Sequence, residues 1–531
     1  SLPFGEDPLA SLSRLAGGWN RAGLGTDAPV LPATGVAAVW QMVMLGEDGL
    51  ARSLLTLAAF IAGIFGIGRL AGRLGVGGPW AYLAAVPLLF GLAAAYLADG
   101  GRWPALIAMA LLPATMATVL GPTPTSRREW WGLAGRSLVA VALVSAFVPW
   151  LAPAPLLFAL AVKVMGRFDS RPLIALVGMA GGVIGVPYVL SRSGHLVDGV
   201  PMAVDLDLLP FIVLAATVLL GMVAGSWRAS ALAGLLAFGG LSAARVLGPD
   251  LQEAVLALAG VGMGLAVAGA TKVREGRNLA ATVATVAALV LVGVSMAGLA
   301  GGRAGLGPDT WGSGEIGFME MAASGAERAL LIAPGPEMLP GEARPGPGFW
   351  YRVVDAGEPT LDQAVLGPPG AGDEALHSVV SDLAAGATLA PGAALAEFGI
   401  RWVVAVGDSA AALAPALDAQ VDLAPLPLAE GISVYDNPQV RTVAESESGV
   451  IWERDSDGYG GRSIDERVRL AIQGDDRWGP DWQTDGWAGT VDGASGAARF
   501  AGSGLDRILV IAGGVILLAG IGLALWGGAK R

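Results

Sequence analysis

Carboxylates that fall in loops beside long apolar segments are the groups in this chain best placed to do chemistry. Asp27 closes the turn-rich run Gly17-Gly18-Trp19-Asn20-Arg21-Ala22-Gly23-Leu24-Gly25-Thr26-Asp27, with Pro29 just after it, and Glu6 and Asp7 stand further upstream. A loop carboxylate of this kind takes a proton from a hydroxyl, or orients the hydroxyl for attack. Arg102 and Arg192 each sit at the edge of an apolar run. Their guanidinium forks match phosphate oxygens, so these two are the candidate phosphate or donor-binding residues. A second polar loop, 191–207, carries His195, Asp198, Asp205 and Asp207. It offers a cation or a sugar one imidazole and several oxygens, although a solvated connector has the same composition.

Other chemistries lack raw material. The chain has no cysteine and only two histidines, His195 and His377. Thiolate nucleophiles and cysteine metal sites are excluded, and a histidine-rich zinc site or a Ser/His/Asp triad has little to build on. No metal site is assigned; a divalent cation would have to rest on carboxylates and backbone oxygens, and the cofactor stays undetermined. No glycine run follows dinucleotide or P-loop spacing, and Gly407-Asp408-Ser409 lacks the flanks of a nucleophile elbow. His377, beside Asp373 and Glu374, reads as a surface or packing residue on a helix.

The elements that must position these groups are mostly membrane helices. Of 531 residues, 54% are apolar and 15% charged, against about 25% charged in an ordinary soluble domain. Apolar runs near the ~20 residues needed to cross a bilayer follow one another from 53 to 300. Ten spans are predicted, at 53–70, 80–97, 103–120, 133–149, 151–166, 173–191, 208–226, 230–247, 253–271 and 279–300, with an eleventh at 505–526. The fold class is therefore a mainly α polytopic membrane protein of about eleven transmembrane helices, with an external α/β and β-rich soluble part. Residues 1–52 form an external loop segment whose apolar piece, Val36 to Leu45, is too short to cross and suits an interfacial helix.

Alternate loops hold Arg69 and Arg73, then Arg127, Arg128 and Arg136, then Lys163, Arg167 and Arg171, then Arg228, then Lys272, Arg274 and Arg277, and finally Lys530 and Arg531. The opposite loops hold only Arg102, Arg192 and Arg245. By the positive-inside rule the first set is cytoplasmic, which leaves 1–52 and 303–504 outside and the C-terminus inside a bacterial plasma membrane. An external start without its own signal implies a further span before Ser1. Asp99 and Arg102, and likewise Asp250 and Glu253, then fall near the outer ends of their spans. The predicted hydrocarbon region itself is almost without charge, which gives an ion relay no support.

Residues 303–504 hold 30 acidic and 12 basic residues, a balance that suits an outward-facing soluble part and excludes nucleic acid as a partner. Alternation in 329–333, 349–354, 400–406 and 432–435, with helical stretches at 373–383 and 410–419, predicts an α/β domain over 303–440. The turn-rich stretch 441–504, with Trp478, Trp482 and Trp487, predicts a β-rich, sandwich-like module, and 505–527 closes the chain as a transmembrane helix.

A set of pieces also matches a known group in order and pattern. These are Trp19, Gly23, Leu24, Gly25 and Pro29 in the first loop, Arg69-Leu70-Ala71, and Arg127-Arg128-Glu129-Trp130-Trp131-Gly132-Leu133. In the soluble part they are His377 to Leu383, Phe398 to Val404, Val434-Tyr435, and the stretch from Asp481-Trp482 to Gly493. In these the chain resembles the membrane and external C-terminal region of actinobacterial proteins that begin with a cytoplasmic family-two glycosyltransferase domain, and it is similar in plan to GT-C glycosyltransferases. The resemblance implies a glycosyltransferase module for cell-envelope polysaccharide, drawing on a polyprenyl-phosphate sugar at the outer face. The partners it implies are the lipid bilayer, that donor, a glycan acceptor and an upstream cytoplasmic glycosyltransferase domain. The catalytic candidates are then Asp27, with Glu6 and Asp7 as alternatives. Two further readings stand beside it: a flippase or channel for a lipid-linked product, and a non-catalytic scaffold that binds glycan.

Overall fold

The computed structural model describes residues 4, 8–15, 20, 22–26, 28–76, 78–99, 102–165, 171–193, 208–223, 227–271, 278–300, 327–355, 360–363, 365–367, 369, 371–406, 415–429, 432–440, 444–446, 453–455, 458–462, 468–472, 475–479, 482–484, 487–492, 495–500 and 504–528. The chain forms two compact units, one of Ser1–Gly49 with Pro308–Ile508 and one of Leu50–Gly307 with Leu509–Arg531.

In chain order the helices begin with α1 (Pro8–Leu15), α2 (Ala33–Val43) and α3 (Asp48–Arg73). Next come α4 (Ala85–Phe90), which a 3₁₀ turn over Pro79–Ala84 leads into, then α5 (Leu92–Asp99), α6 (Trp103–Val119), α7 (Arg127–Phe147) and α8 (Ala154–Val164). After them are α9 (Arg171–Met179), α10 (Val186–Arg192), α11 (Leu208–Gly221), α12 (Trp227–Ala243), α13 (Pro249–Ala270) and α14 (Asn278–Ala300). The segment expected to be interfacial is thus helical, and it leaves Val39, Val43 and Leu45 exposed.

Helices stand where the eleven spans are predicted, but only six among the described residues are long and apolar enough to cross a membrane: Asp48–Arg73, Ala81–Ala98, Arg127–Phe147, Arg171–Arg192, Leu251–Ala270 and Leu505–Gly527. Of the eleven expected spans, six therefore have full spanning length and apolarity among the described residues, and the others are not confirmed as full spans. Trp103–Val119, Pro149–Val164, Phe211–Gly221 and Thr282–Gly293 are apolar and shorter. Proline explains part of the shortfall: Pro149 opens a 3₁₀ turn before α8, whereas the 3₁₀ turn Ala180–Gly185 lies within the span Arg171–Arg192 without shortening it.

Within this membrane unit α13 is the central helix. Leu256, Ala257, Val261, Leu265 and Ala266 are fully buried. Small residues let its neighbours close in: a Cβ on Gly262 would stand 2.8 Å from the carbonyl oxygen of Ala233 in α12, and one on Gly264 2.9 Å from that of Ala84. Such backbone approach is how helices pack where no hydrophobic force separates them from lipid.

The other unit, Ser1–Gly49 with Pro308–Ile508 and expected from the sequence to be the soluble part, is built on a mixed six-stranded sheet. Its strands are β1 (Arg328–Ala333), β2 (Arg344–Gly346), β3 (Phe349–Asp355), β4 (Ile400–Val406), β5 (Ala424–Ala429) and β6 (Ile432–Asp436), in the order β2-β3-β1-β4-β6-β5. Only β1 and β4 pair in parallel; the other pairs are antiparallel. Period-two alternation gives each face its own core. Leu330, Ile332, Tyr351, Val353, Val403 and Ala405 pack with Leu376, Val380 and Leu383 of α15 (Ala371–Ala384). Ala329, Leu331, Trp402, Val404 and Val434 fill the other face. The short helix α16 (Pro391–Ala396) enters β4 through Gly399, whose φ of 70° is the left-handed conformation that glycine supplies at a helix end.

Beyond it, β7 (Ala444–Ser446), β8 (Glu453–Asp455), β9 (Gly458–Arg462), β10 (Val468–Ile472), β11 (Asp475–Gly479), β12 (Trp482–Thr484), β13 (Trp487–Asp492) and β14 (Ser495–Phe500) form two antiparallel sheets. One is ordered β11-β10-β7 and the other β12-β13-β14-β9-β8. The last helix, α17 (Gly504–Gly528), approaches α7 closely: a Cβ on Gly135 would stand 2.6 Å from the carbonyl oxygen of Gly520.

Candidate functional site

The loop that carries Asp27 is held on both sides of that residue. Asn20 and Thr26 form an antiparallel bridge, with the Thr26 N–H donating to the Asn20 carbonyl at 2.8 Å and the Asn20 N–H to the Thr26 carbonyl at 3.1 Å. Inside the bridge Gly23 and Gly25 take φ values of 67° and 89°, which explains the glycine spacing. Asn20 Oδ1 accepts from the Ala22 N–H at 3.0 Å, and Thr26 Oγ1 from the Ala28 N–H at 3.1 Å. Asp27 itself, with Glu6 and Asp7, lies outside the described residues, as do His195, Asp198, Asp205 and Asp207.

The sheet of the soluble unit reaches directly into this loop. Leu24 is 2% exposed and belongs to the same apolar core as Leu330, Tyr351 and Val403. Arg328, at the start of β1 and buried, donates to the Leu24 carbonyl at 2.9 Å and to the Phe398 carbonyl at 2.8 Å. Gly367 lies against Thr26, so closely that a Cβ there would stand 2.6 Å from the threonine methyl. The Gly367 carbonyl accepts from Arg344 at 3.2 Å, and Arg344 pairs with Asp373 at 3.0 Å. A polar chain thus runs from the Gly367 carbonyl through Arg344 to Asp373, with Thr26 packed against Gly367. Nothing in the local sequence near 344 or 367 announced this.

Beside it the Tyr351 hydroxyl lies 3.3 Å from Nδ1 of His377. Burial pushes its pKa up to about 12; Arg344 opposes the shift and Asp373 adds to it. On the far strands Arg401 pairs with Glu327 at 3.0 Å and with Asp436 at 3.1 Å. Burial works against its charge, but these two carboxylates outweigh it and raise the pKa.

In the membrane unit the two candidate phosphate ligands are both engaged. Arg102, just before α6, pairs with Glu253 of α13 at 3.4 Å, with both side chains mostly buried. This joins the two loops that the charge pattern assigns to one side. Arg192 donates to the Tyr188 hydroxyl at 3.1 Å and lies over that ring at 5.2 Å. Next to Arg102, Trp103 Nε1 donates to Thr56 Oγ1 at 3.1 Å and the indole meets Phe147 edge-on. Among the described residues, no three His, Asp or Glu side chains converge as metal ligands.

No protein-family model matches this chain, and no curated protein matches it. Solved structures do. The likeness is to arabinofuranosyltransferase AftD from mycobacteria. The cryo-EM structure of AftD shares 17% identity at a TM-score of 0.47, over 86% of this chain and 38% of the other. Two classes of an AftD mutant give TM-scores of 0.46 and 0.45 at 17% and 16% identity, over 86% and 87% of this chain and 40% of theirs. The chain therefore spans about two fifths of the length of the structures it matches.

Proposed function

We propose that this chain is a GT-C-like glycosyltransferase module for cell-envelope glycan, which moves a sugar from a polyprenyl-phosphate donor to an acceptor hydroxyl at the outer membrane face. In this reaction the acceptor oxygen attacks the anomeric carbon, the bond from that carbon to the phosphate oxygen breaks, and polyprenyl phosphate leaves with the electron pair. The acceptor proton must go to a base. Asp27 is the proposed base, with Glu6 and Asp7 as the other candidates.

The observation that carries this reading is the bridged loop Asn20–Thr26, fastened to a folded core by Leu24, Arg328 and Gly367. The residues on either side of this carboxylate, Thr26 and Ala28, are tied to each other and to the core, and catalysis needs reacting groups held in place. A solvated connector needs no such frame. The leaving phosphate requires a cation. Arg102 and Arg192 are the proposed donors, each exchanging its present partner, Glu253 or Tyr188, for phosphate oxygens when the donor binds.

The test is the purified chain in vesicles with polyprenyl-phosphate sugars, arabinofuranosyl and hexosyl, and an oligosaccharide acceptor. Release of polyprenyl phosphate that falls in Asp27→Asn supports the proposal. Donor binding without release in the wild type favours the scaffold, and passage of donor between leaflets without release favours the flippase.

A further inference from the structure

Four arginines from two helices share one pocket in the membrane unit. It has a volume of about 1080 Å³ and is lined by Arg69 and Arg73 of α3 and by Arg128 and Arg136 of α7. The single carboxylate in its wall, Glu129, is occupied in the helix cap: it accepts from the N–H and the hydroxyl of Thr125, each at 2.8 Å, while Ser126 Oγ accepts from the Glu129 N–H at 3.2 Å. Arg128 donates to the Trp526 carbonyl at 2.8 Å and Arg136 to the Gly132 carbonyl at 3.1 Å, and neither bond involves a carboxylate. Arg69 and Arg73 are exposed, and Arg69 has no ion-pair partner among the described residues.

Four arginines against the single carboxylate Glu129 leave the pocket lining with a net positive charge, which favours an anion there. Guanidinium forks select an oxyanion with several acceptors, and phosphate meets that need. The walls say what the phosphate is attached to. Phe65 and Leu133 line the same pocket. On α3, Ile61, Phe65, Arg69 and Arg73 follow at four-residue spacing, a stripe that winds slowly around the helix. Ile61 and Phe65 are 44% and 54% exposed on a helix apolar and long enough to cross a bilayer, and the arginines come in its last turns. That order, apolar and then cationic, matches a lipid tail followed by its headgroup.

We propose that this pocket binds the phosphate headgroup of an anionic membrane lipid, with an acyl or prenyl chain along Ile61 and Phe65. The proposal is independent of the glycosyl-transfer reading, because the pocket contains none of the proposed catalytic or donor-binding residues.

The test uses the full chain in phosphatidylcholine vesicles that contain a photoactivatable phosphatidylglycerol. The label is expected in peptides that carry Phe65 or Leu133, and to fall about tenfold in the double variant Arg69→Gln, Arg73→Gln, the loss of two charge-assisted contacts. Arg228→Gln, at a basic residue in the first turn of α12 and outside the pocket, keeps the wild-type level. Soluble glycerol 1-phosphate leaves the labelling unchanged. Label elsewhere on the wild-type protein overturns the proposal, a result that needs no variant to fold. Equal labelling of the double variant also overturns it, and displacement by glycerol 1-phosphate would make the ligand a soluble phosphate compound instead.

Discussion

The Arg328 guanidinium donates to the backbone carbonyl of Leu24 across 304 residues of sequence, at 2.9 Å, in a buried setting. This contact makes the Asp27 loop and the sheet of the soluble unit parts of one structure.

Arg328→Gln should loosen that loop. The change leaves the buried carbonyls of Leu24 and Phe398 with one short amide in place of a two-pronged donor, a loss of about 2–4 kcal/mol for a buried charged hydrogen-bonding group. Limited proteolysis should then cut within 16–31 faster than in the wild type, and transfer should fall with it. Unchanged cleavage would mean that Leu24 and Gly367 hold the loop without Arg328.

Alkaline pH should weaken the soluble unit through Tyr351. Its pKa is raised by burial from 10.0 to about 12, so the folded state keeps a proton that the unfolded state loses first. The stabilisation is complete below pH 10 and is lost as pH rises from 10 towards 12. Tyr435, buried and hydrogen-bonded to Asp418, is shifted in the same direction. Denaturant unfolding as a function of pH should show the decline, and Tyr351→Phe should make it shallower. A slope identical in the variant contradicts the assignment to Tyr351.

Gly262→Ala in α13 should be costly where Gly239→Ala in α12 is not. A methyl at 262 meets backbone of α12, with the Ala233 carbonyl oxygen at 2.8 Å, whereas one at 239 meets nothing within 4 Å. Overpacking of this kind costs about 1–3 kcal/mol, and alanine in open helix surface is neutral or better. Thermal unfolding in detergent separates the two. Equal midpoints would remove α13 as the tightly packed centre.

Arg102 and Glu253 should behave as a coupled pair. Each single change, Arg102→Gln or Glu253→Gln, strands a mostly buried charge, so the double variant should be less damaged than the sum of the singles, by about 0.5–3 kcal/mol. If Arg102 also takes the donor phosphate, Glu253→Gln should keep transfer where Arg102→Gln loses it. Strictly additive stability losses would show that the contact carries no energy.

Much of the architecture is legible in the sequence, because it is written in local periodicity. Apolar runs mark the helices of the membrane unit, and alternation in 329–333 and 400–406 marks the central strands, with Gly399 as their punctuation. Span length is less legible: Pro149 opens a 3₁₀ turn that leaves Pro149–Val164 short, although its hydropathy alone reads as a full span. The packing of Leu24 into the sheet core is a contact between distant parts of the chain, and no local pattern encodes it. The same holds for the four-arginine pocket, where the sequence shows two separate arginine clusters and only the packing of α3 beside α7 gives the site.

The central claim rests on the loop carboxylate, and one measurement addresses it most directly: polyprenyl phosphate released from a polyprenyl-phosphate sugar by the purified chain, wild type against Asp27→Asn, with Glu6→Gln and Asp7→Asn beside it. Loss of a general base costs about 10²–10⁴-fold in rate, so release should fall by that factor in Asp27→Asn while donor binding persists. Full release by the triple variant of Asp27, Glu6 and Asp7 would contradict the assignment of the base to this loop.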